Sequence, residues 1–159
     1  RNTKGIIGIG ENKIRKKIVR ECYLLNKKFK WINLISKNSI IDRNVHTGEG
    51  SVILSGTVIR NDVKIGNHCL INSSCSIDHD TILSDFSSCG PGVVSGGNVF
   101  IGQSSFVGIG STIKHSIKIS DNVIIGGNSY VNKSCSSGFL YFGNPIKKIK
   151  KISKIKSQF

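Results

Sequence analysis

A six-residue period runs through the chain from Ile41 to Cys135 without an insertion or a deletion. The first place of each six holds Ile, Leu or Val in 13 of 16 cases, and the sixteen residues are Ile41, Thr47, Ile53, Ile59, Ile65, Ile71, Ile77, Leu83, Cys89, Ser95, Ile101, Val107, Ile113, Ile119, Ile125 and Val131. The second place is often Gly, Asp or Asn, and the fifth is small or β-branched. A fixed short period marks a repeat architecture, and a period of six indicates a parallel β-helix.

Six residues do not match the turn of an α-helix, but they fit a short strand followed by a corner. β-Branched residues suit the strand, and small residues suit the tight corner. Three sixes complete one triangular coil, so sixteen sixes predict about five coils that share one aliphatic core. The alternative is an antiparallel sandwich, whose turns recur at irregular intervals of about 8–12 residues. The unbroken register favours an all-β solenoid.

The segments that flank the repeat divide the chain into three parts: 1–35, 36–142 and 143–159. Lys4–Gly10 is predicted to be a strand, Glu11–Lys28 a helix and Phe29–Ile35 extended. A strand, a helix and a strand in this order suggest the remnant of a βαβ unit. The predicted apolar face of the helix consists of Ile14, Ile18, Cys22 and Leu25. After Pro145 we expect a short basic helix or a basic tail.

Charge and cysteine content narrow the possible partners. The net charge is +14, and many of the lysines lie outside the repeat. Such charge attracts anions, for which a polyphosphate cofactor or a nucleotide-linked substrate is one source. Nucleic acid is the more distant alternative, because no nucleic-acid-binding motif is present. Four of the five cysteines (Cys69, Cys75, Cys89 and Cys135) occupy repeat positions, which favours small, reduced core residues. We expect a cytoplasmic protein with no membrane span.

His79 is the candidate general base among four histidines. It is flanked by Asp78 and Asp80, and its place in the six lies beside a corner and off the inward position. A carboxylate partner fixes the tautomer of a histidine and makes its ring more basic, as a base working near neutral pH requires. The alternative is a solvated surface histidine with two solubilising neighbours.

The segment Ile77–Asn98, IDHDTILSDFSSCGPGVVSGGN, followed by VFIG, resembles the acetyltransferases of the NeuD/PglD type. Further matches are IIGG at 124–127, FGNPIK at 142–147 and IGENKIR at 9–15. Members of this family are left-handed β-helix enzymes that acetylate sialic acids or nucleotide-linked amino sugars of bacterial surface glycans, including capsule polysaccharide. The resemblance covers nearly the whole chain, and its IDHD segment with SGGNVFIG is its most specific part.

The resemblance implies a set of site residues. His79 would be the base, and Asp80 would raise its basicity. Acetyl-CoA would be the acyl donor, with contacts at Ser88, Gly97, Ile109 and Gly127, and the acceptor pocket would retain Gly10, Glu11 and Asn12. Ser88 departs from the family pattern, which often has a second histidine there. The family also implies a homotrimer, direct acetyl transfer and no metal.

The first strand and the Gly-rich loop of the family's N-terminal domain have no counterpart in the sequence, so we expect a chain shortened at its N-terminus. O-acetylation and N-acetylation both remain open. Three alternatives also remain: a serine or simple-sugar O-acetyltransferase on the same scaffold, a truncated and inactive β-helix, and a basic nucleic-acid-binding module.

Overall fold

The computed structural model describes residues 4–154. Strand β1 (Lys4–Gly5), helix α1 (Asn12–Leu25) and strand β2 (Lys30–Trp31) form an N-terminal unit, and the rest is a left-handed parallel β-helix of about six turns. Its strands are β3 (Leu34–Ile35), β4 (Ile40–Ile41), β5 (His46–Thr47), β6 (Val52–Ile53), β7 (Val58–Ile59), β8 (Lys64–Ile65), β9 (Leu70–Ile71), β10 (Ser76–Ile77), β11 (Ile82–Leu83), β12 (Ser88–Cys89), β13 (Val94–Ser95), β14 (Phe100–Ile101), β15 (Phe106–Val107), β16 (Thr112–Ile113), β17 (Lys118–Ile119), β18 (Ile124–Ile125), β19 (Tyr130–Val131) and β20 (Phe139–Phe142). Strand β21 (Lys147–Lys151) and a 3₁₀ helix (Ile152–Lys154) follow.

Three sheets form the three faces of the β-helix. Face 1 contains β3, β6, β9, β12, β15, β18, β20 and β21; face 2 contains β4, β7, β10, β13, β16 and β19; face 3 contains β5, β8, β11, β14 and β17. Each strand from β3 to β16 pairs with the strand eighteen residues further on, as Ile82 does with Phe100. Three sixes therefore make one coil, as the sequence predicts.

The first and fifth places of each six both point inward. Every first-place residue from Ile53 to Val131 is buried, as is every fifth-place residue from Ser51 to Cys135. Ile41 is exposed because no coil covers the open end of the solenoid. Burial of one such aliphatic side chain contributes about 1.5–3 kcal/mol. The four cysteines of the repeat are free and buried, which confirms their prediction as reduced core residues.

The corners have a period of their own. A residue with φ between 52° and 73° recurs at every sixth position from Asn44 to Asn128, the fourth place of each six. Gly, Asn, Asp and Ser fill most of these places, and they tolerate the left-handed conformation best. Two bulky residues, His68 and Phe86, occupy consecutive places in one column of corners. The inward positions can be recognised in the sequence by their aliphatic side chains, whereas this corner position was not predicted.

The N-terminal unit confirms the predicted order of strand, helix and strand, with β1 and β2 paired in parallel. The helix is shorter than predicted, Asn12–Leu25 instead of Glu11–Lys28, and its predicted apolar face is only partly right: Cys22 packs on a buried aromatic cluster, but Ile14 and Leu25 are exposed. Its buried residues are Asn12, Arg15 and Val19, whereas Leu25 is 88% exposed. The helix contacts the β-helix through hydrogen bonds at its first turn, which a search for apolar periodicity does not detect.

The end of the chain also differs from the prediction. A strand, β21, replaces the short helix expected after Pro145, and it pairs antiparallel with β20. The hairpin gives the backbone of β20 a partner at the last coil, which a helix could not supply. Strand β3 already pairs with β6, so the β-helix begins at Leu34. The last part of the predicted basic tail, 155–159, lies outside the described residues.

Candidate functional site

His79 lies at the corner between β10 and β11, where faces 2 and 3 meet. Its Nδ1 is 2.7 Å from Oδ2 of Asp80, and its side chain is 59% exposed. The hydrogen bond with Asp80 and the charge of Asp78 raise the pKa of His79. When Nδ1–H donates to Asp80, Nε2 keeps a free lone pair. The imidazole is therefore oriented as a base whose reactive nitrogen is open to solvent.

Gly97 occupies the same corner one coil further on and lies directly against the His79 ring. A Cβ at Gly97 would fall 2.6 Å from Nε2, so any side chain there would displace the imidazole. The Gly97 carbonyl accepts a hydrogen bond from Ser116, but its N–H donates none within residues 4–154. A free backbone donor and the Nε2 edge of the ring thus lie together. His115, one coil beyond, is exposed and has no acidic neighbour in sequence.

Ile109 and Gly127 lie together at a different corner, where faces 1 and 2 meet. Ile109 is exposed, and a Cβ at Gly127 would fall 2.9 Å from Ile109 Cγ2. Face 2 separates this pair from His79 and Gly97. The predicted cofactor residues are therefore divided between two edges of one face.

Ser88 does not lie on an open surface. It is 0% exposed on face 1, beneath α1. Its hydroxyl donates to Asn12 Oδ1 at 2.6 Å and accepts from Arg15 at 2.9 Å. Both interactions hold the N-terminal unit, so Ser88 offers no group to a cofactor in this structure.

A cavity of about 420 Å³ lies between the start of α1 and face 1. Gly10, Glu11 and Asn12, the three predicted acceptor residues, form part of its wall. The remaining lining residues are Lys13, Leu70, Asn72, Cys89, Gly90, Pro91, Ser104, Phe106, Asn122, Ile124 and Ile152. An apolar floor with a few polar groups at its rim is typical of a small-molecule site. His79 is absent from this lining, because it belongs to the corner between the two other faces.

Arg15 is the main residue of this region that was not predicted from the sequence, because it does not belong to the predicted apolar face of α1. The side chain is 2% exposed, and burial lowers its pKa to about 10. Within the described chain it forms no ion pair. It donates instead to uncharged acceptors on the N-terminal unit and on the β-helix: the carbonyls of Ile9, Gly10, His68 and Phe86, Asn12 Oδ1 and Ser88 Oγ. The IGENKIR segment, which ends on Arg15, was the available signal.

An aromatic cluster completes the contact between the two parts. The rings of His68 and Phe86 stack at 5.1 Å with an interplanar angle of 18°, and Trp31 meets His68 edge-on at 5.0 Å. Val19 packs into the same cluster. The two bulky corner residues thus accept an unfavourable backbone conformation in exchange for contacts with β2 and α1.

Other chemistries find little support in this part of the chain. Burial raises the pKa of Cys69, Cys75 and Cys89, which disfavours a nucleophilic thiolate. Residues 4–154 contain no group of three or more His, Cys, Asp or Glu side chains suited to a metal ion. The same residues include no helix long and apolar enough to span a membrane.

Comparison with known proteins gives two sets of relatives, although no family model matches the chain. UDP-3-O-acylglucosamine N-acyltransferase from Methylorubrum extorquens is 32% identical over 120 residues, and its counterpart from Methylobacterium sp. is 30% identical over the same length. Each alignment covers 73% of this chain. The chain spans only 29% of the length of these curated relatives.

The alignments with solved structures cover a larger share of those chains than the alignments with the curated relatives do. A mutant GDP-perosamine N-acetyltransferase from Caulobacter crescentus, in complex with CoA and GDP-perosamine, superposes with a TM-score of 0.89 at 26% identity, covering 94% of this chain and 70% of that one. The acetyltransferase domain of PglB from Neisseria gonorrhoeae, in complex with acetyl coenzyme A, gives 0.86 at 26% identity, covering 91% and 69%. The chain is thus a left-handed β-helix protein of hexapeptide repeats whose solved neighbours include sugar N-acetyltransferases.

Proposed function

We propose that the protein transfers an acetyl group from acetyl-CoA to the amine of a nucleotide-linked amino sugar in bacterial surface-glycan biosynthesis. One observation carries the proposal: Asp80 holds His79 by Nδ1, while the Nε2 edge lies open against the free N–H of Gly97. The similarity to N-acyltransferases of nucleotide-linked sugars supports an amine acceptor over a sialic acid hydroxyl.

In this proposal His79 Nε2 takes a proton from the acceptor nitrogen as that nitrogen attacks the acetyl carbonyl carbon. Asp80 keeps the tautomer fixed and stabilises the imidazolium that forms. Gly97 N–H is the donor available to the carbonyl oxygen as it gains negative charge. The bond from the carbonyl carbon to the thioester sulfur then breaks, the His79 imidazolium returns its proton to the departing thiolate, and the acetylated sugar and free CoA leave. Acetyl-CoA supplies the acetyl group, and no covalent enzyme intermediate is required.

We assign the donor to the open edges of face 2. Ile109 is an exposed aliphatic side chain beside the bare backbone of Gly127, which fits an uncharged, extended chain such as the pantetheine arm. The acceptor is assigned to the cavity walled by Gly10, Glu11 and Asn12. Its apolar floor and polar rim suit a ligand with a flat ring and hydrogen-bonding groups.

We further propose a homotrimer, because a single chain separates the base from the cavity. His79 lies at the corner of faces 2 and 3, whereas the cavity lies on face 1. The outward residue of each two-residue strand of face 2 is uncharged, which suits contact with a second copy: Ile40, Val58, Ser76, Val94, Thr112 and Tyr130. The free thiols are consistent with the cytoplasm, where the protein would meet acetyl-CoA.

The test is to incubate the chain with acetyl-CoA and a panel of acceptors, and to follow release of the CoA thiol. The panel contains a UDP-4-amino-sugar, GDP-perosamine, CMP-sialic acid and free sialic acid. Turnover with an amino sugar, giving a product stable to alkaline hydroxylamine, would support N-acetylation. Turnover only with sialic acids, giving a hydroxylamine-labile ester, would contradict the amine acceptor and indicate a hydroxyl acceptor instead. Acetyl-CoA binding without turnover on any acceptor would indicate an inactive β-helix.

The molar mass of the particle in solution, measured by sedimentation equilibrium, tests the assembly. Three copies per particle are expected. A monomer that still turns over would contradict the shared site.

A further inference from the structure

We propose that Arg15 is a positioning residue for the acceptor cavity: it fixes the Ile9–Asn12 segment, one wall of that cavity, to the β-helix. The assignment of the cavity to the acceptor rests on the proposed function. The link from Arg15 to the wall rests on contacts alone.

Arg15 joins two parts of the chain that share few other polar contacts. Its Nη1 donates to the carbonyls of Ile9 and Gly10 at 3.0 and 3.1 Å, on the N-terminal side. Its Nε donates to the carbonyl of His68 at 2.8 Å, and Nη2 to that of Phe86 at 3.2 Å, on the β-helix side. All three guanidinium nitrogens thus donate hydrogen bonds. The wall residue Gly10 is connected to the β-helix through a single side chain, that of Arg15.

Asn12 is held by the same network. Its side-chain oxygen accepts from Arg15 Nη2 at 2.8 Å and from Ser88 Oγ at 2.6 Å, and its Nδ2 donates to the carbonyl of Ser105 at 3.1 Å. Every polar atom of the amide therefore has a partner on the helix or on face 1. Asn12 lines the cavity, so the network decides where this wall residue lies.

The shape of the guanidinium matters, and not only its charge. A buried charge without an ionic partner is costly unless its donors are all paired. The planar fork of Arg meets acceptors in several fixed directions, whereas a Lys ammonium provides three donors at a single point. A residue chosen only to supply charge would be accompanied by a carboxylate, and within residues 4–154 none forms an ion pair with Arg15.

The test compares Arg15→Gln and Arg15→Lys with Arg20→Gln, the same chemical change at an exposed position of the same helix. Amide hydrogen exchange of peptides covering 8–13 reports the wall directly, and peptides from the β-helix report global folding. We expect exchange of the wall to accelerate about tenfold or more in both Arg15 variants, with exchange of the β-helix unchanged. Arg20→Gln should exchange like the unmodified chain.

Kinetics provide the second readout. With the amino sugar that turns over, both Arg15 variants should raise the acceptor KM about tenfold or more, with kcat and the KM for acetyl-CoA changed less than about twofold. Loss of kcat and of both affinities together would indicate general damage instead. Normal exchange and a normal acceptor KM in Arg15→Gln, or full rescue by Lys, would overturn the proposal.

Ser88→Ala is the milder variant if the Arg15 variants fail to fold. It removes one hydrogen-bond partner each from Asn12 and Arg15 but leaves the Arg15 side chain present, so we expect a smaller change in the same direction. If the unmodified chain acetylates none of the panel acceptors, the proposed function fails. The exchange measurement then decides the role of Arg15 independently.

Discussion

The β-helix and the N-terminal unit are stabilised in different ways. In the β-helix each six repeats the one before it: a strand of two residues, an inward and mostly aliphatic residue, an inward and mostly small or β-branched residue, and a left-handed corner. The N-terminal unit has two strands of two residues and one helix, and it contacts the β-helix through side-chain hydrogen bonds of Asn12, Arg15 and Tyr23 and through a small aromatic cluster. A repeat places the same demand on every six residues, whereas the contact of the N-terminal unit depends on a few positions.

This difference assigns separate roles to the two regions. The proposed base, its carboxylate and the free N–H beside it belong to adjacent coils, whose backbone hydrogen bonds fix their spacing: the amide of Asn98 donates to the carbonyl of His79 at 2.8 Å. The proposed acceptor wall belongs to the other region, and its position depends on side chains. Rate should therefore respond to changes in the β-helix, and acceptor affinity to changes at the contact between the regions.

The largest effect is expected at the base. His79→Ala should lower kcat about 10²–10⁴-fold, the usual contribution of a general base, with acetyl-CoA affinity retained. The thermal midpoint should not change, because the side chain is exposed. His115→Ala is the matched control, since it occupies the same corner two coils further on without an acidic neighbour. Normal turnover by the His79→Ala variant would contradict the assignment of the general base to this corner.

The second effect concerns the stability that the inward side chains give to the β-helix. Ile101 is fully buried among inward residues of neighbouring coils, so Ile101→Ala should lower the free energy of unfolding by about 2–5 kcal/mol. Ile149 is 51% exposed, and Ile149→Ala should change it by less than about 0.5 kcal/mol. Urea unfolding of both variants measures the difference. Equal costs would show that burial in the coils is not what stabilises them.

A third measurement concerns Asp80. This carboxylate is the main cause of the raised pKa of His79, so the ascending limb of kcat/KM should lie above pH 6.5 and should move to lower pH in Asp80→Asn. The direction follows because the neutral imidazole is the active form, and loss of the carboxylate weakens proton binding. A pH profile for each protein is the measurement. If the ascending limb of the Asp80→Asn profile stays at the same pH, a group other than His79 controls it.

The smallest effect is expected where the regions meet. Burial lowers the pKa of His68 from 6.5, a shift that Arg15 reinforces and that Glu49 and Asp85 oppose. Release of the N-terminal unit would expose His68, which would then bind a proton more tightly, so the contact between the two regions is fully stable above about pH 6.5 and weakens as the pH falls through the lowered pKa. Trp31 is the single tryptophan and packs on this ring, so its emission should shift to the red as the pH falls.

His68→Phe is the control for this titration. It keeps an aromatic ring at a corner position where the next coil already has Phe86, but it removes the titrating group. The emission of this variant should be constant between pH 5 and 8. A shift that persists without His68 would assign the effect to another group.

The sequence by itself determined the β-helix, its register and its candidate base. A period of six is a local property, so each inward residue and each small residue could be placed from the chain alone, and His79 with Asp80 followed from adjacency. The resemblance of the IDHD and SGGN segments added Gly97, which the structure places against the His79 ring.

Only the tertiary structure decided how the N-terminal unit is attached. Arg15 contacts Phe86 and Ser88, which lie more than seventy residues further along the chain. Nothing in the local sequence around either partner specifies that contact. Apolar periodicity selected largely the wrong side of α1, because the helix packs through the polar network of Asn12 and Arg15 as well as through Val19 on the aromatic cluster. The family resemblance implied a cofactor contact at Ser88, but α1 covers that residue and its hydroxyl is bonded to Asn12 and Arg15. A repeat encodes its own packing, whereas a contact between two different units is encoded by both together.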